Sequence, residues 1–239
     1  MAPFILATFL QLFVTKESCA VESTHQIAYR YPHVWRGITL RDFPVLNISS
    51  TFSFDRGLSL QVWAGLDLSD GDGRAGEVQE IDIDLYYQRQ RGRWDVRFGY
   101  IGLIFPGGID PTGEAYAQIG ANVPGSPRLE VYYNVDLLQD LFALFHVQEN
   151  WRLSEKWQAS WVGTLGISGR EYARFFGATE SGFHHWSTHL DLRYALRNHF
   201  ITFRLAYTEN LDNKVLRDQP VSLWGGIYFS WKPSLSKGR

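Results

Sequence analysis

The chain has 239 residues, 45% of them hydrophobic and 15% aromatic, with a formal net charge of -2 and a pI near 6.4. Such a charge balance offers no basic face for nucleic acid. The mean hydropathy is -0.21, and past the N-terminus no apolar run approaches the ~20 residues of a membrane helix. A helical membrane protein is excluded; a membrane protein built of strands is not, because its signal is weaker per segment.

Residues 3–14, PFILATFLQLFV, form an apolar core, and Ser18-Cys19-Ala20 has the small-x-small form of a cleavage site. This predicts a signal peptide over 1–20, cleaved after Ala20, although no basic residue precedes the core. The single Cys19 leaves with it, so a mature domain over 21–239 has no disulfide to stabilise it.

Period-2 alternation then runs almost without break, and a strand turns successive side chains to opposite faces. Residues 45–54 set Leu46, Ile48, Phe52 and Phe54 against Asn47, Ser49, Thr51 and Ser53. Residues 58–68 oppose Leu60, Val62, Ala64 and Leu66 to Ser59, Gln61, Trp63 and Asp67. In EIDIDLYYQ, Glu80, Asp82, Asp84 and Tyr86 share one phase, and Ile81, Ile83, Leu85 and Tyr87 the other. Residues 94–100 carry Trp94, Val96, Phe98 and Tyr100 against Asp95 and Arg97. A weaker segment lies at 114–123, and 129–137 set Leu129, Val131, Tyr133, Val135 and Leu137 against Glu130, Tyr132 and Asp136. The pattern returns at 157–167, at 186–196 (Leu190, Leu192 and Tyr194 against His189, Asp191 and Arg193), at 201–207 and at 221–231.

No segment sustains a helical stripe, so the fold class is all-β. Tight turns at 55–57, 91–93, 124–127, 153–156 and 196–198 alternate with longer polar segments at 69–77, 105–113, 169–185 and 210–220. Short turns at one end and long loops at the other describe an outer-membrane barrel, and about twelve strands satisfy its even count. A soluble sandwich alternates too, but its strands usually run ~5–6 residues. These approach the ~9–11 that cross a bilayer at a tilt. Trp94, Tyr100, Trp157, Tyr194, Tyr207 and Trp231 sit near segment ends, as interfacial girdles require. The reading is an antiparallel transmembrane β-barrel of about 12 strands in the Gram-negative outer membrane. Turning Glu80, Asp82 and Asp84 to lipid would cost about 1–3 kcal/mol each, so the acids point inward.

Several elements in order resemble the TorF-type porin family (the Gcw family of conserved proteobacterial outer-membrane proteins). They are VWRGITL at 34–40, EIDIDLYYQ, GYIGLIFPG at 99–107, GEAYAQIGANVPGSPRLEVYYNVD at 113–136 and WGGIYFSW at 224–231. The resemblance implies an outer-membrane barrel and a pore, with no catalytic residues to carry over. One departure is KPSLSKGR, which follows Trp231 where such barrels usually end on the aromatic of the last strand.

By phase, the candidate pore-lining residues are Trp63, Asp67, Glu80, Asp82, Asp84, Tyr86, Asp95, Arg97, Glu130, Tyr132, Asp191, Arg193 and Arg204, with Asp136, Trp224 and Tyr228 on the same side. Opposite charges on a narrow wall either set up a transverse field that selects solutes or pair and fill the interior. Inward aromatics either stack on sugars or fill space.

In HHWSTH, His185 and Ser187 share a face, which raises an outer-membrane lipid hydrolase as an alternative. A nucleophilic Ser needs a base within hydrogen-bond reach, itself oriented by a third group. His185 and His189 stand about 13 Å apart along a strand, too far for one metal. SDGDGRAGE lacks the spacing of a calcium loop. GREYARFF at 169–176 offers arginines to lipopolysaccharide phosphate.

The expected function is a small channel for passive diffusion of ions or small polar solutes, not an enzyme and without cofactor or metal. A plugged structural or adhesion barrel is a further alternative. The expected partners are outer-membrane lipid and lipopolysaccharide, the barrel assembly machinery, and small polar solutes or ions, with no nucleic acid.

Overall fold

The computed structural model describes residues 21–69 and 73–233; the predicted signal at 1–20, residues 70–72 and the closing 234–239 lie outside the described residues. In chain order the elements are β1 (Glu22–Tyr31), β2 (His33–Trp35), β3 (Ile38–Arg41), β4 (Val45–Ser53), β5 (Leu58–Asp67), β6 (Val78–Arg91), β7 (Trp94–Phe105) and β8 (Ile109–Ala121). Then follow β9 (Arg128–Asn134), β10 (Leu141–Arg152), β11 (Trp157–Ser168), α1 (Arg170–Phe175), β12 (Gly182–Leu196), β13 (His199–Asn210) and β14 (Leu223–Trp231). Twelve of the strands form one closed antiparallel barrel, while β2 and β3 pair only with each other. No helix among the described residues is long and apolar enough to cross a membrane.

Each barrel strand pairs with its sequence neighbour, and β1 closes the ring against β14, with Ile27 opposite Phe229 and Arg30 opposite Gly226. Closure satisfies every strand's ladder, which a bilayer demands because hydrocarbon offers no hydrogen bonds. The short connections 54–57, 92–93, 122–127, 153–156 and 197–198 fall at one end, together with the start of β1 and the end of β14. At the opposite end lie 32–44, 68–77, 106–108, 135–140, 169–181 and 211–222.

The outer face is apolar. Ile27, Ile48, Val62, Ile83, Phe98, Leu190, Phe203, Leu205 and Ile227 are all exposed, and the sheet closes on itself with no second sheet to cover them. A water-soluble sandwich would bury that phase; here it meets acyl chains. Trp94 and the tilted pair Trp157–Tyr194, 4.7 Å between ring centroids, mark the short-turn rim, while Trp186 and Tyr207 meet at the long-loop rim. These two rings of amphipathic aromatics occupy headgroup level.

The boundaries differ from the sequence reading in two informative places. The expected loop over 105–113 shrinks to 106–108, because a register shift between Leu103 and Phe105 lets β8 begin at Ile109 and absorb Pro111, as irregularities in a ladder accommodate a missing donor. Conversely, β9 stops at Asn134, so Asp136 belongs to a connection and not to the wall.

The seam carries one glycine that its geometry requires. A Cβ on Gly226 would stand 2.6 Å from the Tyr29 carbonyl oxygen and 3.2 Å from Arg30 Cγ. Gly226→Val is expected to destabilise the barrel by roughly 1–3 kcal/mol through overpacking. The measurement is the temperature at which the compact electrophoretic band of the unboiled protein converts to the unfolded one.

Candidate functional site

The long connection between β1 and β4 does not project into solvent. Its hairpin turns inward and crosses the barrel. Arg36 (φ 47°) and Gly37 (φ 81°) link the paired residues Trp35 and Ile38, a two-residue turn with both φ positive, whose twist matches that of its strands. Glycine is needed at the second position for another reason as well: a Cβ there would lie 2.4 Å from His185 Cγ on β12.

At the tip, Arg36 Nη1 and Nη2 donate to Glu114 Oε1 and Oε2 on β8 at 2.9 and 2.6 Å. The guanidinium also lies over Tyr132 of β9 at 4.1 Å, Trp35 at 4.4 Å and Phe142 of β10 at 5.0 Å. Both partners of the ion pair are buried, their side chains 7% and 3% exposed. Burial opposes the charge on Arg36, but Glu114 outweighs it and holds the guanidinium above its ordinary range. Such a fork-to-fork pair is worth its desolvation only with this geometry.

The rest of the hairpin is tied on every side. His33 meets Trp63 of β5 at 6.1 Å between centroids, and Arg41 donates to Asp67 of β5 at 3.4 Å and to Gln79 of β6 at 2.9 Å. The Thr39 amide donates to Gln219 Oε1 at 2.8 Å, and Arg30 Nη2 to the Val34 carbonyl at 2.8 Å. From the connection 169–181, Tyr172 on α1 packs on Phe142 at 4.7 Å, and Leu216 from the connection 211–222 is fully buried. Ile38, Tyr86, Tyr116, Tyr132, Phe142, Leu144, Tyr172 and Leu216 join in a single apolar cluster. The long-loop half of the interior is therefore filled by protein, where the sequence reading left open both a solute-selecting wall and a filled interior.

The candidate lining residues share the inner phase, in several local networks. On β6, Asp84 accepts from Tyr116 Oη at 3.0 Å, and Glu80 and Asp82 face a cavity of about 230 Å³ together with Trp63. Tyr116 stacks on Tyr132, whose hydroxyl donates to Glu130 Oε2 at 2.7 Å; Arg128 and His146 stand 3.9 and 3.6 Å from the other Glu130 oxygen. Arg97 lies over Tyr86 at 4.4 Å and donates to Gln88, which in turn donates to Asp95. Arg204 grips Asp191 with two bonds of 2.7 Å and lies over Tyr228, while Arg193 covers Phe200 at 3.7 Å. Trp224 donates to Thr208 Oγ1 at 2.9 Å and lies under Arg30. Asp67 sits beneath the hairpin with Arg41.

Around the ring, β12 stands six strands from β6 and β13 five. Arg193 and Arg204 thus occupy the wall opposite Glu80, Asp82 and Asp84. Below the filled half, a cavity of about 280 Å³ lies between Glu130, His146, His189 and Arg204, and a vestibule of about 600 Å³ opens at the short-turn end among Gln26, Arg152, Arg193, Thr202 and Lys232.

The histidines of HHWSTH are explained by packing. The register between β11 and β12 shifts at Gly166 and Ile167, leaving His184 as an extra residue. A bulge of this kind turns two neighbours to the same side, so His184 and His185 are both buried, 0% and 2% exposed, their Nδ1 atoms 3.0 Å apart. His185 is wedged between Gly37 and Gly166. No hydrogen bond joins it to Ser187 among the described residues, and Ser187 lies on the wall between Thr164 and Thr208. A nucleophile and its base are not assembled there. In the GREYARFF segment, Arg174 pairs with Glu171 on the surface of α1. No group of three or more His, Cys, Asp or Glu that could hold a metal occurs among the described residues.

Sequence reasoning missed Arg36, Glu114 and Arg30. The aromatic-Arg-Gly element was visible, but nothing in its pattern showed that the connection folds inward; Glu114 opens a segment whose alternation is weak.

A closed twelve-strand barrel, apolar outside and charged within, with short turns at one rim and long loops at the other, defines a transmembrane β-barrel of the outer-membrane type. No protein-family model and no curated protein matches the sequence. Solved structures with this fold do. The chain is similar to the NanC porin (TM-score 0.57, 12% identity, covering 88% of this chain and 100% of that one). It is also similar to the KdgM porin (0.56, 7%, 87% and 98%) and to an outer-membrane channel of Pseudomonas putida F1 (0.52, 8%, 92% and 99%). At these identities the likeness is one of fold.

Proposed function

We propose that this protein is a small outer-membrane channel through which ions or small polar solutes diffuse, narrowed on the long-loop side by the β2–β3 hairpin. The observation that carries the reading is the interior itself: a charged inner wall with a series of cavities below a filled half. A barrel serving only as a scaffold has no use for unpaired charge in its core, where charges without partners are costly. The ordered resemblance to the TorF-type porins supports it, as do the porins that share the fold. One of these, KdgM, was solved in complex with disordered oligogalacturonate, an example of a polar solute in such a barrel.

The acids on β6 and the arginines on β12 and β13 act in this reading as two faces of a transverse field, which orders dipolar solutes and admits small ones. Asp67, Asp95, Arg97 and Glu130, with Trp63, Tyr86 and Tyr132, complete the lining. A plugged structural barrel is the competing reading, favoured by the hairpin's many tethers.

Planar-bilayer recording separates the two. Purified, refolded protein is expected to give small ion currents, and silence under all voltages would remove the channel. Asp82→Asn with Asp84→Asn is expected to shift the reversal potential in a salt gradient toward anions, since it takes two acids from one wall; an unchanged value refutes the field. Ser187→Ala is expected to alter neither current nor any lipid-hydrolysing activity.

A further inference from the structure

We propose that the cavity of about 230 Å³ beneath the hairpin is a binding site for a small zwitterion, an ammonium and a carboxylate carried on one molecule of amino-acid size. It rests on the channel reading only in that the solute reaches the site through the barrel.

The cavity joins three kinds of group that are otherwise scattered over the wall. Glu80 and Asp82 supply negative charge from β6, Arg30 supplies positive charge from β1, and Trp35 and Trp63 supply ring faces. Along the wall, β1 and β6 are three strands apart, about 14 Å at the usual strand spacing. The curve of the barrel shortens that span, so long side chains from both strands converge on one small space.

These charges are under-used within the protein. Among the described residues Arg30 closes no ion pair. One of its N–H groups meets the Val34 carbonyl and its guanidinium lies over Trp224, but its Nε, buried, has no hydrogen-bond partner. Glu80 and Asp82 share a hydrogen bond with each other, but no lysine or arginine closes an ion pair with either among those residues, and Asp82 Oδ1 is buried without a partner. By contrast the neighbouring inward charges are matched: Arg36 with Glu114, Arg204 with Asp191, Arg41 with Asp67. Buried polar groups nearly always have partners, and the exceptions call for an explanation. A cation alone would answer the acids and leave Arg30; an anion alone would do the reverse. Only a ligand with both charges completes the set.

Size and shape agree. The volume lies below the roughly 300–1,000 Å³ of sites for drug-sized molecules, which suits a compact solute. An ammonium set against the carboxylates has Trp63 on the same lining, and an aromatic face attracts cations when water is excluded. A carboxylate set against Arg30 meets a planar fork that matches it. His33 and Trp35 belong to the hairpin, so the same element that narrows the channel roofs the site.

The test uses the full-length refolded protein in detergent micelles and calorimetric titration with three probes. L-Alanine carries both charges, ethylammonium only the positive one and propionate only the negative one. Alanine is expected to bind, and each singly charged probe at least tenfold more weakly. Arg30→Gln is expected to weaken alanine at least tenfold while leaving ethylammonium unchanged; Asp82→Asn is expected to weaken alanine similarly while leaving propionate unchanged. A variant that merely perturbed the wall would weaken all probes together.

Absence of alanine binding, or ethylammonium or propionate binding as tightly as alanine, overturns the proposal on the unaltered protein alone. Current in bilayers without alanine binding overturns the site and leaves the channel standing. Alanine binding in a protein that passes no current supports the site and removes the channel.

Discussion

Arg36→Ala is expected to raise the single-channel current several-fold. The substitution strands Glu114, whose side chain is 3% exposed, in an interior that offers it no other cation closing an ion pair among the described residues. Removing one partner of a buried pair costs about 3–5 kcal/mol. The other hydrogen bonds of the hairpin, each worth about 1 kcal/mol net, sum to about the same amount, so the seated position loses its advantage over one in which water reaches Glu114. Arg36→Met combined with Glu114→Leu makes the complementary case. Exchanging both charges for apolar groups of similar volume is close to neutral, and the tip then adds to the cluster around Tyr132 and Phe142. That pair of changes is expected to keep the current low. Currents that rise equally in both variants, or in neither, would show that the ion pair does not hold the hairpin in place.

The second large effect concerns the outer face. Leu190 stands midway along β12, 50% exposed, beside Trp161 on β11 and the 60% exposed Leu205 on β13. Leu190→Arg is expected to destabilise the barrel by about 2–4 kcal/mol, the cost of arginine on the lipid face near the midplane. Gln158→Arg places the same residue in the open vestibule at the short-turn end and is expected to cost less than about 1 kcal/mol. Denaturant unfolding in lipid vesicles reads both. Equal costs would mean that the phase containing Leu190 does not meet hydrocarbon.

The strands that could be read in the sequence are those whose inner residues are polar. On β6, β12 and β13 most of the inner residues are polar, and the alternation located these strands within a few residues of their observed ends. The reading failed where the interior is not wet. Phe142 and Leu144 on β10, and Ile101 and Leu103 on β7, point inward beneath the hairpin and are apolar because they pack on it or on its neighbours. A strand that is apolar on both faces loses its period-2 signature, and β10 went unrecognised for that reason. The charged side chains themselves could be assigned to the inner phase residue by residue, since phase is a local property. Their partners could not. That Asp191 meets Arg204 follows from cross-strand register, and that Glu114 meets Arg36 follows from a connection folding back through the ring. Alternation encodes neither. His184 shows the same limit on a smaller scale, since a single extra residue in β12 reversed the face that simple counting would assign to it.

The hairpin begins directly after Tyr31 and ends directly before Val45, and Arg30 and Val45 are already paired across adjacent strands. Its two roots are therefore held side by side on one rung of the ladder, like the leaves of a hinge screwed to the same post. What holds the hairpin in its seat is therefore a set of side-chain contacts and no rung of the cylinder: the tip on Glu114, and behind it His33 on Trp63, Arg41 on Asp67 and Gln79, and Thr39 on Gln219. Each of those contacts can be altered one side chain at a time while the cylinder keeps its strength.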